Sequence, residues 1–274
     1  MGKIADALEK HKKEKSLELE KLEPLPRSRE KVEDPEAARI REVAREGRYS
    51  PKLAVLSAPD SVDAENFKVL RARILLGGKS KPPPRTILVT STFPGEGKTF
   101  VSSNLAFSIA LGIDEHVLLV DCDLRRPQLC EMMGYPRSEG LAELLSGERR
   151  IPDLLVKTSV PKLSFLPAGI PPGNAAELLS SRGMEDFIEE VRSRYEDRFI
   201  ILDGTPMQFT SETQVLASHV DGVLLVVRAE RSPREAIQRA VQGIDKEKLL
   251  GVVFNGHSEA VKAYKKYYAG YYYR

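Results

Sequence analysis

The chain is short of the residues that build several common kinds of protein. Its two cysteines, Cys122 and Cys130, cannot make a disulfide framework, and Cys122 lies inside an apolar strand pattern where a reduced, buried thiol is expected. The four histidines, His11, His116, His219 and His257, are scattered without ligand spacing, which gives a metal hydrolase no support. No stretch approaches the ~20 apolar residues that span a bilayer. The opening MGKIADALEK is charged and lacks a continuous apolar core, so it does not read as a secretory signal. Asp6 stands where a myristoylation signal beginning at Gly2 asks for Ser or Thr. Forty-two basic residues against forty acidic ones leave a formal charge of +2, which makes no global case for nucleic-acid binding. A soluble, cytoplasmic protein is expected, with any membrane role supplied through a partner.

What is present falls into three parts. Residues 1–50 are dense in Lys, Glu and Arg and carry Pro24, Pro26 and Pro35. Ile4, Ala7, Leu8 and His11 recur at helical spacing, so a short amphipathic helix opens a segment that is otherwise expected to be flexible and ordered only by a partner or neighbouring subunit. Residues 51–260 read as one nucleotide-binding domain, and 261–274 as a tyrosine-rich tail. A helix is predicted over 61–76, capped by Ser61 or Asp63, with Phe67, Leu70, Ile74 and Leu75 on its apolar face and Gly77-Gly78 at its end. The stretch KSKPPP at 79–84 is a stiff connector. Beyond it, strands are predicted at 86–90, 117–121, 163–167, 199–203, 222–227 and 249–255. Most are unbroken Val/Ile/Leu rather than alternating, as in parallel strands covered on both faces. The fold class is therefore α/β, with a doubly wound, mostly parallel sheet and helices on both faces.

The segment 86–99 carries the chemistry. A strand runs into Pro94-Gly95-Glu96-Gly97-Lys98-Thr99 and then into a helical pattern that begins with Phe100. Glycines let successive backbone N–H groups curl around phosphate oxygens, and the following helix points its positive end at the anion. Lys98 is expected on the β/γ-phosphates of ATP and the Thr99 hydroxyl on Mg²⁺. Strand, loop and helix follow the order of a P-loop NTPase, with Thr92 where the consensus has its first glycine. Two further strands end in acids: 117–121 in Asp121-Cys-Asp123 followed by Arg125 and Arg126, and 199–203 in Asp203. Side chains at i and i+2 of an extended chain share a face, so Asp121 and Asp123 are expected to reach one metal–phosphate centre. Asp203 matches the acid that completes such a magnesium site, and a spare carboxylate suits transfer to a hydroxyl, whose proton it would take.

These residues resemble the bacterial tyrosine kinases of polysaccharide export systems, over about residues 50–274. The P-G-E-G-K-T loop, the hydrophobic-D-x-D-x-R segment, the I-I-L-D strand and the tyrosine-rich end carry the likeness, and kinases of that family also tend to lack the first P-loop glycine. The resemblance implies phosphate and magnesium contacts for Lys98 and Thr99. It also implies one of Asp121 and Asp123 as base toward tyrosine with the other near magnesium, and Asp203 in the metal shell. Glu65, Lys68 and Arg71 resemble the family's E-x-x-R-x-x-R oligomerisation motif, with Lys68 in place of the first arginine. Asp203-Gly-Thr-Pro-Met departs from the usual D-[ST]-P-P. The opening decapeptide resembles the separate kinases of exosortase-type exopolysaccharide systems. The partners implied are further copies of the chain in a cyclic homo-oligomer, a membrane chain-length regulator that activates it at the inner face of the cell membrane, and a protein tyrosine phosphatase.

Six of the nine tyrosines crowd into the last eleven residues: Tyr264, Tyr267, Tyr268, Tyr271, Tyr272 and Tyr273. They are the expected phosphoacceptors, although tyrosine is also favoured at interfaces. Two other readings share the fold. A Min/Par-type positioning ATPase would carry a lysine where Phe93 stands and a basic amphipathic helix as anchor. A nucleotide-gated scaffold without kinase activity is the second, kept open by the departures at Lys68 and at 204–207.

Overall fold

The computed structural model describes residues 47–77, 82–194, 198–208 and 211–257. All belong to the second of the two units into which the chain divides, Glu36–Arg274. The expected amphipathic opening and the six tail tyrosines lie outside the described residues.

The central runs of Val, Ile and Leu form strands covered on both faces, whereas the last run, 249–255, is only half covered and leaves Leu250, Val252 and Phe254 exposed. β1 (Thr86–Ser91), β2 (His116–Asp121), β4 (Leu163–Leu166), β5 (Arg198–Asp203), β6 (Gly222–Arg228) and β7 (Leu249–Asn255) pair in parallel. A two-residue strand, β3 (Val156–Lys157), adds antiparallel to β4, and the sheet order is β3-β4-β2-β5-β1-β6-β7. Alternate residues of one strand enter different cores. Ile87 and Val89 pack with Leu105, Phe107 and Ile109 on one side, while Leu88 joins Leu118, Ile200, Leu202 and Phe187 on the other. This two-sided burial is why no in-out alternation is visible in the sequence. β4 stops one residue short of the predicted end, since Pro167 has no N–H to give to a ladder.

The predicted helix at 61–76 is α1 (Val62–Leu76). Ser61 caps it by accepting from the Ala64 amide at 3.1 Å, and the helix ends at Gly77 with φ 60°. Phe67 and Ile74 are buried, and Leu70 and Leu75 pack against the same core. The helix after the phosphate loop, α2 (Lys98–Ala110), is buried almost all round, sandwiched between the sheet and the 53–76 segment. Asn104 bridges that contact, accepting from the Val55 amide and donating to the carbonyls of Lys52 and Phe100. On the other face of the sheet lie α3 (Arg182–Arg194), α4 (Ser211–His219) and α5 (Arg234–Gln242), each giving residues to the second core.

The charged segment expected to run to about residue 50 gives way earlier. Tyr49 packs edge-on against Phe107 at 5.1 Å and bonds the Ser159 hydroxyl at 2.6 Å, and the Ser50 amide donates to the Met132 carbonyl. No helix among the described residues is long and apolar enough to cross a membrane.

Candidate nucleotide and phosphoryl-transfer site

β2 pairs with β5 and β5 with β1, so the carboxyl ends of three adjacent strands open on one edge of the sheet. The phosphate loop leaves β1 there, the acidic turn leaves β2, and Asp203 ends β5. Ligands of open α/β sheets bind at this edge.

The loop is shaped by two left-handed glycines and one buried acid. Gly95 has φ 78° and Gly97 φ 99°. A Cβ on Gly97 would come 2.1 Å from Asn255 Nδ2, which donates to the Glu96 carbonyl at 2.7 Å. Glu96 does not point at solvent. Its side chain is fully buried and accepts from the amides of Phe93 and Arg228, and the Ser232 hydroxyl bonds it as well. The Glu96 side chain thus pins the loop to the end of β6. Pro94 is exposed, and the Phe100 ring stacks edge-on with Phe67, which leaves only its backbone on the cradle side. Arg228 and Arg231 reach the outer side of the loop, each with a guanidinium 3.4 Å from the Gly95 carbonyl. Nothing in the sequence marked Arg228, Arg231 or Ser232, because they are brought to the loop only by the β1–β6 pairing.

The two acids after β2 part company. Asp121 is buried with both oxygens taken, Oδ1 by the Asp123 amide at 3.1 Å and Oδ2 by the Leu129 amide at 3.0 Å. It holds the 121–129 turn from within. Asp123, two residues beyond the strand, faces the loop, and its Oδ2 stands 3.8 Å from Lys98 Nζ. The expected common face of the two carboxylates is not formed, since Asp121 bonds the Leu129 amide inside the turn while Asp123 faces Lys98. The extended geometry that such a face requires ends at Asp121, where the chain turns.

Asp203 lies in register with Asp121, and neither of its buried oxygens has a hydrogen bond of ordinary geometry, although the Thr99 and Ser102 hydroxyls lie close enough to favour its charged form. Burial raises its pKa to about 6, against the pull of Lys98 and of the nearby Thr99 hydroxyl. Burial, and then the charge of Asp203, push Asp121 well above the usual carboxylate range. Burial also raises Asp123, with Lys98 working the other way. Asp123 and Asp203 thus share a single lysine, with Asp121 buried beside Asp203, a crowding of acids that a divalent cation would relieve. Asp203, Thr99 and Asp123 fit magnesium on these grounds, the poorly compensated carboxylate of Asp203 above all. Among the described residues no cluster of three His, Cys, Asp or Glu forms a metal cage, so such an ion would complete its shell with phosphate and water.

The substituted turn after Asp203 is firmly held. Thr90 Oγ1 donates to the Thr205 carbonyl at 2.6 Å, and the Met207 amide donates to the Ser91 carbonyl. A Cβ at Gly204 would come 2.7 Å from Leu88 Cδ1, so the glycine suits the leucine beneath it. Glu212, which opens the next helix, is buried and sits 3.3 Å from the half-exposed Arg125. On α1, Lys68 pairs with Glu65 at 3.6 Å, while Arg71 donates to the Ser108 carbonyl at 2.7 Å.

A strand, a glycine-turned loop with Lys98 at the head of a buried helix, and two acidic strand ends define a P-loop nucleotide-binding domain. The AAA domain family matches residues 84–249. CpsD, a tyrosine-protein kinase of Streptococcus agalactiae, is 30% identical over 206 residues, which are 74% of this chain and 87% of CpsD. EpsB of Ralstonia solanacearum is 34% identical over 205 residues, 74% of this chain, and the chain spans only 27% of EpsB's length. The kinase domain of the Escherichia coli tyrosine kinase ETK superposes with a TM-score of 0.65 at 27% identity, covering 77% of this chain and 83% of that one. The chain belongs to the bacterial tyrosine-protein kinases, a family built on the AAA domain.

Proposed function

We propose that the chain is a protein-tyrosine autokinase that moves the γ-phosphoryl group of ATP to its own C-terminal tyrosines, Tyr264, Tyr267, Tyr268, Tyr271, Tyr272 and Tyr273, on another copy. The observation that carries this reading is a third carboxylate at the site, Asp121, which stands in register with Asp203 and is additional to the Asp203 and Asp123 that suit the metal, with Asp123 3.8 Å from Lys98. A nucleotide loop that served only as a switch would need no carboxylate beyond those that hold the metal.

In the transfer, a tyrosine oxygen bonds to the γ-phosphorus, the β–γ bridging bond breaks, ADP leaves, and the phenolic proton passes to a carboxylate. Lys98 and the loop amides stabilise charge on the phosphates, the larger part of the barrier lowering in this chemistry. Magnesium, when bound, would supply further neutralisation of the phosphate oxygens, held by Thr99, Asp203 and Asp123. Asp121, which the metal assignment leaves unused, suits the proton acceptor. It reaches an incoming hydroxyl once one of its two amide bonds, to Asp123 or to Leu129, is released.

The wider role follows the family. The kinase would regulate polymerisation and export of an exopolysaccharide or capsule, cycling between a ring of unphosphorylated copies and separated phosphorylated ones. A membrane chain-length regulator would activate it at the inner face of the cell membrane, and a tyrosine phosphatase would reset it. Glu65, Lys68 and Arg71 are proposed ring contacts, with Arg71 already engaged by its own Ser108 carbonyl. Several added phosphates, each about −1.5 to −2 charges, would drive the copies apart.

A mixing experiment tests transfer between copies. Full-length Lys98→Met protein is incubated with Mg-ATP and an active chain ending at Ala263. Phosphotyrosine on the Lys98→Met chain establishes transfer in trans, and its absence, with the full wild-type chain phosphorylating itself, refutes it.

A further inference from the structure

Glu212 is a carboxylate with 2% of its side chain exposed, held at the start of α4 by a turn that is itself bonded to β1. The Thr205 and Thr213 hydroxyls meet at 2.5 Å and fix the first turn of α4 to the loop after Asp203. Arg125 comes from the other acidic turn, two residues past Asp123, and its Nη2 stands 3.3 Å from Glu212 Oε1. That oxygen has no hydrogen-bond donor of ordinary geometry, so the guanidinium is its source of compensation. More than half of the arginine side chain remains exposed, 55%, and its planar guanidinium carries donors beyond the one that meets Glu212.

This arrangement is unusual for a surface arginine. Exposed ion pairs are loose and contribute little, because two long side chains must be ordered in water. Here one partner is already immobile and cannot turn to solvent, so the other is drawn to a fixed point. A buried carboxylate without its cation is costly, which discourages the arginine from swinging away. The point chosen is the rim of the site, on the Asp123 side of the phosphate loop. A guanidinium held there presents planar donors suited to two oxygens of a phosphate.

We propose that Glu212 is a positioning residue that aims Arg125 at the terminal phosphate, so that Arg125 grips the γ-phosphate of ATP before transfer and the tyrosine phosphate after it. The inference rests on the nucleotide reading of the site given above, and it deepens that reading by assigning a contact that ATP makes and ADP does not. Lys98 serves both nucleotides, whereas Arg125 discriminates between them.

Affinity, read without any transfer, separates this inference from the kinase reading. Wild type, Glu212→Gln, Glu212→Asp and Arg125→Ala are titrated with AMP-PNP and with ADP, each with magnesium, by displacement of a fluorescent ADP analogue. Glu212→Gln and Arg125→Ala are expected to bind AMP-PNP about tenfold more weakly, the value of one charge-assisted contact, with ADP within about twofold of wild type. Glu212→Asp, which keeps the charge, is expected to recover part of the loss. Should Glu212→Gln fail to fold, the surface change Arg125→Ala decides. An unchanged ratio of the two affinities in Arg125→Ala, or an equal loss of both nucleotides, would overturn the inference. Tyrosine phosphorylation by the wild-type chain is scored separately, so failure of the kinase reading cannot be mistaken for failure of this one.

Discussion

Asp121 and Asp203 sit opposite each other at the ends of neighbouring parallel strands, both sealed from water, yet only Asp121 has its oxygens satisfied. Asp203 is therefore a buried acid with less compensation than its neighbour. Its folded pKa of about 6 lies above the ~3.9 of a free aspartate, so the native state holds the proton more tightly than the unfolded one. Stability then falls as pH rises from about 4 to about 6, and the loss is complete above that window. Asp203→Asn removes this dependence. Without magnesium, the variant should exceed wild type in urea stability by roughly 1–3 kcal/mol at pH 7.5 and by little at pH 4. Added magnesium and nucleotide should stabilise wild type more than the variant. Equal pH profiles would show that Asp203 is not the strained group.

Gly97 and Asn255 give a second test. Only glycine combines φ 99° with an approach of 2.1 Å between its would-be Cβ and Asn255 Nδ2. Gly97→Ala should weaken nucleotide binding by tenfold or more, because relief of the clash breaks the Asn255 bond to the Glu96 carbonyl. Gly173→Ala, with nothing within 4 Å of the new carbon, serves as the silent control.

The two turn acids should separate by stability. In Asp121→Asn, the amide nitrogen repels one of the backbone amides that the carboxylate accepts, at a cost of roughly 1–3 kcal/mol. Asp123→Asn keeps an acceptor for the Arg126 amide and should change the melting temperature little while lowering phosphotransfer. Thermal melts beside transfer rates check both, and an equal stability loss in the two would contradict the division of roles.

Far from the site, Asp221 ties the start of β1 to the end of α3. It accepts from the amides of Arg85 and Thr86 at 3.0 Å each and pairs with Arg192 at 3.2 Å. Partial burial raises its pKa, but these partners outweigh that and leave it below the usual value. A depressed carboxylate contributes stability that is present above the unfolded ~3.9 and lost as pH falls through the folded value. Asp221→Asn should therefore cost roughly 1–2 kcal/mol at pH 7, with the gap to wild type closing below about pH 4.

The strands and the cradle were legible because each is local. A run of Val, Ile and Leu declares two-sided burial, and Gly-Glu-Gly-Lys-Thr between strand and helix declares a phosphate loop. The Ser61 cap and the Gly77 stop were legible for the same reason. What stayed hidden depends on contacts between distant segments. β3 has two residues, too few for any period, and exists through Phe165 and Ser164 alone. Glu96 reads as a loop residue until the β1–β6 pairing brings Arg228 and Ser232 to its carboxylate. Asp121 and Asp123 look alike on paper, and only the turn at the end of β2 sends one inward and the other toward Lys98.

The measurement that bears most directly on the central claim is the intact mass of purified full-length chain after incubation with Mg-ATP, beside a chain ending at Ala263. The account predicts a ladder of added phosphates on the full chain, detected as phosphotyrosine and absent from the shortened one. ATP hydrolysis with no added mass on either chain, with and without a membrane partner, would contradict it.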